Sequence, residues 1–270
     1  MIRPKWGIDF KVGVLLTGMM VACALVSLFF TPYDSNEMNA AERFRAPSLS
    51  HLMGTDNFGR DVFSRVIIGG RYTLLVSLLT VLGSAAIGAS LGLLTGYLGK
   101  ALDEVVMRLM DALSSFPGIL LALVVVSLMR RADDSAAALI IALLILFIPS
   151  YVRIMRTGTL QYRNADFVKM VSLMGASHIR IIFIHILPNL APPLLSATVL
   201  GLSNAILAEA TMSYLGLGIQ PPLPSWGRML SESQNVLSNA PWCALAPGVM
   251  IMLTVIGFHY LGEGIRQRYC

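Results

Sequence analysis

The chain has 270 residues, of which 56% are hydrophobic and only 13% charged, and its mean hydropathy is +0.71. Soluble domains carry about a quarter charged residues, so a chain this apolar calls for lipid as its solvent. The net charge of +5 comes from basic residues scattered near the ends of apolar runs rather than from a Lys/Arg block, which argues against nucleic acid and suits anionic membrane lipid.

Crossing a bilayer takes roughly 20 apolar residues in a helix, because only a helix satisfies its own backbone there. Uncharged runs of that order lie at 12–30, 72–99, 112–129, 135–152, 186–208 and 243–262. They predict an all-α membrane protein with six transmembrane helices and both termini on one side. In the first run, Cys23 follows Val21-Ala22 in a faintly lipoprotein-like context, but the run continues to Phe30 and reads as a retained span. Cys23, Cys243 and Cys270 are too few and too dispersed for a disulfide framework or a thiolate metal site. A seventh uncharged stretch, 210–227, holds Gly216, Gly218, Pro221, Pro222 and Pro224 and reads as a loop or re-entrant turn. Of the 20 Lys and Arg, 12 fall on the side of the termini, among them Arg3, Lys5, Lys100, Arg153 and Arg266. Arg130 and Arg131 fall on the other side but are followed at once by Asp133 and Asp134. This bias places the termini inside.

Two non-membrane stretches stand out. In 31–71, Gly54 supports a turn and Thr55 or Asp56 is placed to cap a following helix. Val62, Phe63, Val66 and Ile67 share one helical face, with Arg60, Ser64 and Arg65 off it, which predicts a short helix lying in the interface. The chain thus divides into an amino-terminal span plus an extracytoplasmic or interfacial segment, 1–71, and a core, 72–270. The second stretch, 151–189, is too long for a mere connector. It holds two short helical patterns parted by Gly175, with Phe167, Met170, Val171 and Met174 on one face. Such a face docks either on the protein's own inner surface or on a partner.

Enzyme signatures are weak. Gly99-Lys100 has Leu94 where a phosphate loop needs its first glycine, and Ala101 after the lysine. His51, His178, His185 and His259 are dispersed, and no serine has the setting of an intramembrane protease. Asp103, Glu104, Arg108 and Asp111 open the third apolar region, with Glu104–Arg108 and Arg108–Asp111 spaced to share a helix face. They form either a neutralised cluster at the membrane surface or, through Asp111 with Ser115 and Pro117, part of an inner gate. Glu209 is a second gate candidate, or else reaches external water at the end of the fifth span. The fifteen methionines read as packing filler. An ion-coupled secondary transporter would place an acid or histidine in mid-span and show two matching halves; the charges here sit at span ends, and no repeat is visible.

With His185-Ile186-Leu187-Pro188-Asn189 following Gly175, the 151–189 stretch resembles the cytoplasmic coupling loop of bacterial ABC importer permeases. That family usually writes Glu-Ala-Ala, three residues, Gly, and later an Ile, Leu and Pro. Gly175, Ile186, Leu187 and Pro188 match, whereas Lys169, Met170 and Val171 replace Glu-Ala-Ala. Four blocks resemble the second permease of the dipeptide/oligopeptide/nickel group: 47–65, containing Gly54, Thr55, Asp56, Gly59, Arg60 and Asp61; 103–117; 209–230; and 242–264. The resemblance implies the ABC importer type I permease fold, with both termini cytoplasmic in a bacterial cytoplasmic (inner) membrane. It implies a heterodimer with a second homologous permease, two ATPase subunits that carry ATP and Mg, and an extracytoplasmic solute-binding protein. This chain would then be no enzyme and would hold no cofactor or metal. Its ATPase contacts would come from Asp166, Phe167, Val168, Lys169, Met170, Val171, Met174, Gly175, Ala176 and Ser177. Peptides, nickel and metal chelates are all cargo of that group; the short tail after Gly264 and the altered Glu-Ala-Ala box lean toward nickel or a metallophore.

Overall fold

Residues 7–129 and 135–269 are described by a computed structural model. Arg3, Lys5, Arg130, Arg131, Asp133, Asp134 and Cys270, on which part of the charge reading rests, lie outside the described residues. Apart from one isolated bridge between Thr55 and Asp61, regular structure among the described residues is helical. Five helices are long and apolar enough to cross a membrane. They are α1 (Ile8–Val26), α2 (Val62–Leu98), α5 (Ser135–Arg163), a composite helix His178–Tyr214, and α10 (Trp242–Tyr269). The composite helix consists of α7 (His178–Arg180), a π-helical stretch Ile181–Ile186, and α8 (Leu187–Tyr214). Short helices α6 (Asp166–Leu173) and α9 (Trp226–Ser233) precede α7 and α10.

The third predicted span is broken. Its residues fall into α3 (Lys100–Ser115) and α4 (Gly118–Met129), bent by 95° against each other, so that together they make a sixth candidate crossing. Pro117 has no N–H to donate, and its ring pushes the preceding residue out of the helical region; Phe116 is accordingly extended, at φ −81° and ψ 141°.

The start of α2 corrects the expectation of an interfacial helix. Val62, Val66, Ser64 and Arg65 are all buried, the two valines against Met229 of α9 with Phe44 and Met53 of the 33–61 segment, and of the expected face Phe63 and Ile67 stay partly exposed. The cap is also different: the Asp61 side chain accepts from Ser64 N at 2.8 Å, whereas Asp56 accepts from Phe58 N and Arg60 N within its own turn. The boundary drawn at residue 71 therefore lies inside a continuous 37-residue helix.

Close approach of α2 to α5 holds the centre of the bundle. A Cβ at Gly88 would lie 2.5 Å from Tyr151 Cβ, one at Gly92 2.6 Å from Val152 O, and one at Gly96 2.7 Å from Thr159 Cβ. Three glycines at intervals of four form one stripe of the helix, and their small size lets the backbones meet. Helix α5 continues to Arg163, so the polar stretch expected from 151 onward is largely helix, and only 164–177 forms a connection. The 210–227 region is not a span. Helix α8 ends at Tyr214, a turn follows, and α9 is held by Trp226, whose Nε1 donates to Val66 O at 2.8 Å.

Candidate functional site

Helix α6 hangs between the ends of α5 and α7, and its two faces differ. Val168 is 3% exposed and packs, with Val171 and Ala176, into a cluster of Leu93 from α2, Met155 from α5, and Ile181, Ile182 and Ile186 from the π stretch. The opposite face presents Met170, Leu173 and Met174 to solvent, 64%, 88% and 83% exposed, and Ile179 continues it at 71%. The predicted face is thus split: Met170 and Met174 point out, Val171 points in, and Leu173 was missed. A wheel pattern gives two apolar sides here and does not say which one the bundle covers. Phe167 is partly exposed and meets the Tyr162 ring edge-on at 6.2 Å.

Gly175 closes α6 with φ +83°. Gly175 N bonds to Ser172 O and Ala176 N to Val171 O, satisfying carbonyls that the helix end would otherwise leave bare. No atom lies within 4 Å of a Cβ built there, so the requirement for glycine is conformational and not steric. Ser177 accepts from Arg180 N at 3.4 Å and so caps α7. Lys169 is exposed and lies 3.5 Å from the exposed Asp166 on its own helix. Tyr97 Oη at the end of α2 is 3.0 Å from His178 Nδ1, a tie between α2 and the re-entry of the chain that the sequence did not reveal.

The gate candidates separate into two places. Asp111 pairs with Arg153 of α5 at 3.0 Å, and the same guanidinium donates to Ser114 Oγ at 2.9 Å. Arg108 pairs with Glu104 alone, at 2.5 Å, not with Asp111. Arg156 donates to both carboxylate oxygens of Asp103. Two ion pairs therefore pin α3 along α5. Ser115 is exposed and donates back to Ala112 O, and Pro117 sits at the bend. Glu209 belongs to another network. It is 0% exposed, which rules out the reach to external water, and its Oε1 accepts from Ser213 Oγ at 2.6 Å. That hydroxyl in turn accepts from Ile219 N, so Glu209 braces the turn between α8 and α9.

The 54–61 block is a clasp rather than a cleft. Gly54 and Gly59 have φ of +72° and +76°, and a Cβ at Gly59 would overlap Asn39 O. Thr55 Oγ1 accepts from Arg45 N and donates to Glu42 O. Asp56 holds Arg60 at 2.6 Å, and Arg60 and Arg65 both reach Glu232 of α9, at 3.2 and 3.1 Å. Asp61 also takes His51 Nδ1 at 2.9 Å. Among the described residues there is no group of three or more His, Cys, Asp or Glu arranged to hold a metal ion.

Residues 88–269 match the family described as "Binding-protein-dependent transport system inner membrane component". The chain is 38% identical over 256 residues to the "Dipeptide transport system permease protein DppC" of Alkalihalophilus pseudofirmus, covering 95% of this chain and 83% of that protein. It is 37% identical over 250 residues to the "Glutathione transport system permease protein GsiD" of Pectobacterium atrosepticum, covering 92% and 82%. It is 35% identical over 255 residues to the "Probable D,D-dipeptide transport system permease protein DdpC" of Escherichia coli, covering 93% and 85%. These names give no support to nickel or a metallophore as cargo, and the lean toward metal is withdrawn.

Proposed function

The chain belongs to the binding-protein-dependent transport system inner membrane component family, as a multi-pass permease subunit of an ABC importer that is not itself catalytic, and we propose that its cargo is short peptides. The relatives' names support that cargo. We further propose a heterodimer with a second, similar permease, two ATPase subunits that hold ATP and Mg, and an extracytoplasmic binding protein that delivers the peptide. The membrane is the bacterial cytoplasmic membrane, with both termini and α6 inside and the 33–61 clasp outside.

The observation that carries this reading is the two-sided character of α6. Its outer face offers Met170, Leu173 and Met174, adaptable apolar side chains suited to a groove on a partner. Its inner face is packed without interruption onto α2, α5 and the π stretch. A push on the outer face by a closing ATPase pair therefore moves the spans as packed bodies. The test is uptake of a labelled dipeptide into proteoliposomes holding the complete transporter and its binding protein. ATP-dependent uptake that vanishes when this chain is omitted supports the reading; uptake of metal chelates but of no peptide defeats it.

A further inference from the structure

Two grooves, one mainly apolar and one mixed with polar side chains, flank the α6-proximal half of the helix His178–Tyr214. On the α2 flank, a groove of about 800 Å³ is walled mainly by Leu82, Ala86, Leu93, Leu187, Leu195 and their apolar neighbours, with Ser90, Thr198 and Tyr269 as its polar members. On the α5 flank, one of about 630 Å³ carries Arg153, Thr157, Gln161 and Asn189. It continues past Pro193 into a recess of about 490 Å³ that reaches Ala197 and Gln267. Depth does not explain the contrast. Leu195 lines the first groove and Ala197 the recess that Ser196, Arg266 and Gln267 share with Ile154 and Leu200, two residues and about 3 Å of helical rise apart. Lipid chains accept the first flank, where Ser90 and Thr198 donate back to Ala86 O and Leu194 O of their own helices, whereas free amide side chains facing hydrocarbon would be left without partners.

The charges on the α5 flank are neutralised where they stand. Arg153 is held by Asp111, and Arg266 by both oxygens of Glu263. What remains to face the groove is uncharged. Asn189 gives an N–H to His185 O at 2.7 Å, leaving its Oδ1 to accept, and Gln161 has no hydrogen-bond partner among the described residues.

We propose that the α5 flank of this helix is the inner wall of the solute path and that it takes peptides through their main-chain N–H and C=O groups. The inference rests on the peptide-import reading and adds which wall is wet and what it recognises. Peptides differ in side-chain charge but share an amide backbone. A wall of neutral amides exchanges hydrogen bonds with that backbone whatever the side chains, and a wall with a free charge would hold one class of peptide and repel another.

The test uses the assembled transporter in inside-out vesicles that enclose its binding protein and labelled dipeptide, so that import is read as ATP-driven release of dipeptide to the medium, with Cys23, Cys243 and Cys270 changed to Ser and single cysteines introduced as Ala197→Cys or Leu195→Cys. A charged, membrane-impermeant methanethiosulfonate is the probe. The wet-wall assignment expects the 197 cysteine to react at least about tenfold faster than the 195 cysteine, with loss of ATP-driven dipeptide release on modification. Equal rates, or faster reaction at 195, overturn it. For recognition, Gln161→Leu and Asn189→Leu together should lower ATP-driven transport of acidic, basic and neutral dipeptides by a common factor of about ten; loss confined to one charge class overturns the backbone assignment. Should vesicles with the unaltered wall release no dipeptide of any class on addition of ATP, the import reading itself fails, and the labelling ratio still decides which flank is wet.

Discussion

Arg156 of α5 donates from Nε and Nη2 to the two carboxylate oxygens of Asp103 on α3, at 2.5 and 2.6 Å. A fork-to-fork pair of this kind fixes the angle between two helices as well as their distance. It holds the first turn of α3 against α5, at the end of that helix far from the bend at Pro117.

Asp103→Asn should therefore destabilise the permease by about 1–3 kcal/mol, because the guanidinium loses its charge partner while both side chains remain largely covered. Arg156→Lys should retain part of the attraction but lose the two-point geometry. Thermal unfolding of the detergent-solubilised complex gives the ranking: wild type, then Arg156→Lys, then Asp103→Asn. Equal midpoints for all three would show that the pair does not hold α3.

Gly175→Val should impair peptide uptake, since a β-branched residue at φ +83° costs about 1 kcal/mol or more. Gly175→Asn should be milder, because asparagine tolerates the left-handed region. As a built Cβ meets nothing within 4 Å, a steric account would predict equal effects. Uptake per copy of membrane-inserted protein separates the two accounts.

On α6 the two faces should respond differently. Val168→Ala removes two buried methyl groups from the cluster with Met155 and Ile182 and should lower stability by about 1–2 kcal/mol. Leu173→Ala should leave stability unchanged, as the residue is 88% exposed in this chain, and should weaken co-purification of the ATPase. Lys169→Glu should do neither if Lys169 stays turned toward Asp166 and solvent; loss of assembly would assign it a contact on the ATPase.

Gly92→Leu should prevent the permease from accumulating in the membrane, because Val152 O and Met155 Cβ already stand 2.6 and 2.8 Å from the position of a Cβ. Overpacking of this sort costs about 1–3 kcal/mol, or more where backbone is the obstacle. Gly18→Leu, on α1 with nothing within 4 Å, is the matched control and should accumulate normally. Immunoblotting of membrane fractions reads both.

The spans were legible in the sequence because an apolar run of sufficient length has few other uses, and the turn at Gly175 was legible because glycine there had no packing role to compete with. The Gly88, Gly92 and Gly96 stripe was not recognised, although its spacing is plain, because glycine contributes little to a hydropathy run. The start of α2 departs from the expectation because Val62 and Val66 have the same pattern whether lipid or Met229 and Cys243 cover them. The apolar sides of α6 were misassigned for a related reason: periodicity identifies a face but not its neighbour. Asp111 pairing with Arg153 instead of Arg108 follows the same rule, since the partner lies 42 residues away.

The claim that α6 is the surface on which ATP hydrolysis acts is tested most directly by photo-crosslinking in intact membranes. A benzophenone side chain placed at Leu173 in the complete transporter should, on illumination, form a covalent adduct with an ATPase subunit. The same group at Val105 of α3, also exposed but on another helix, should not. An actively transporting complex in which the group at 173 crosslinks only to lipid or to this chain itself would contradict the account.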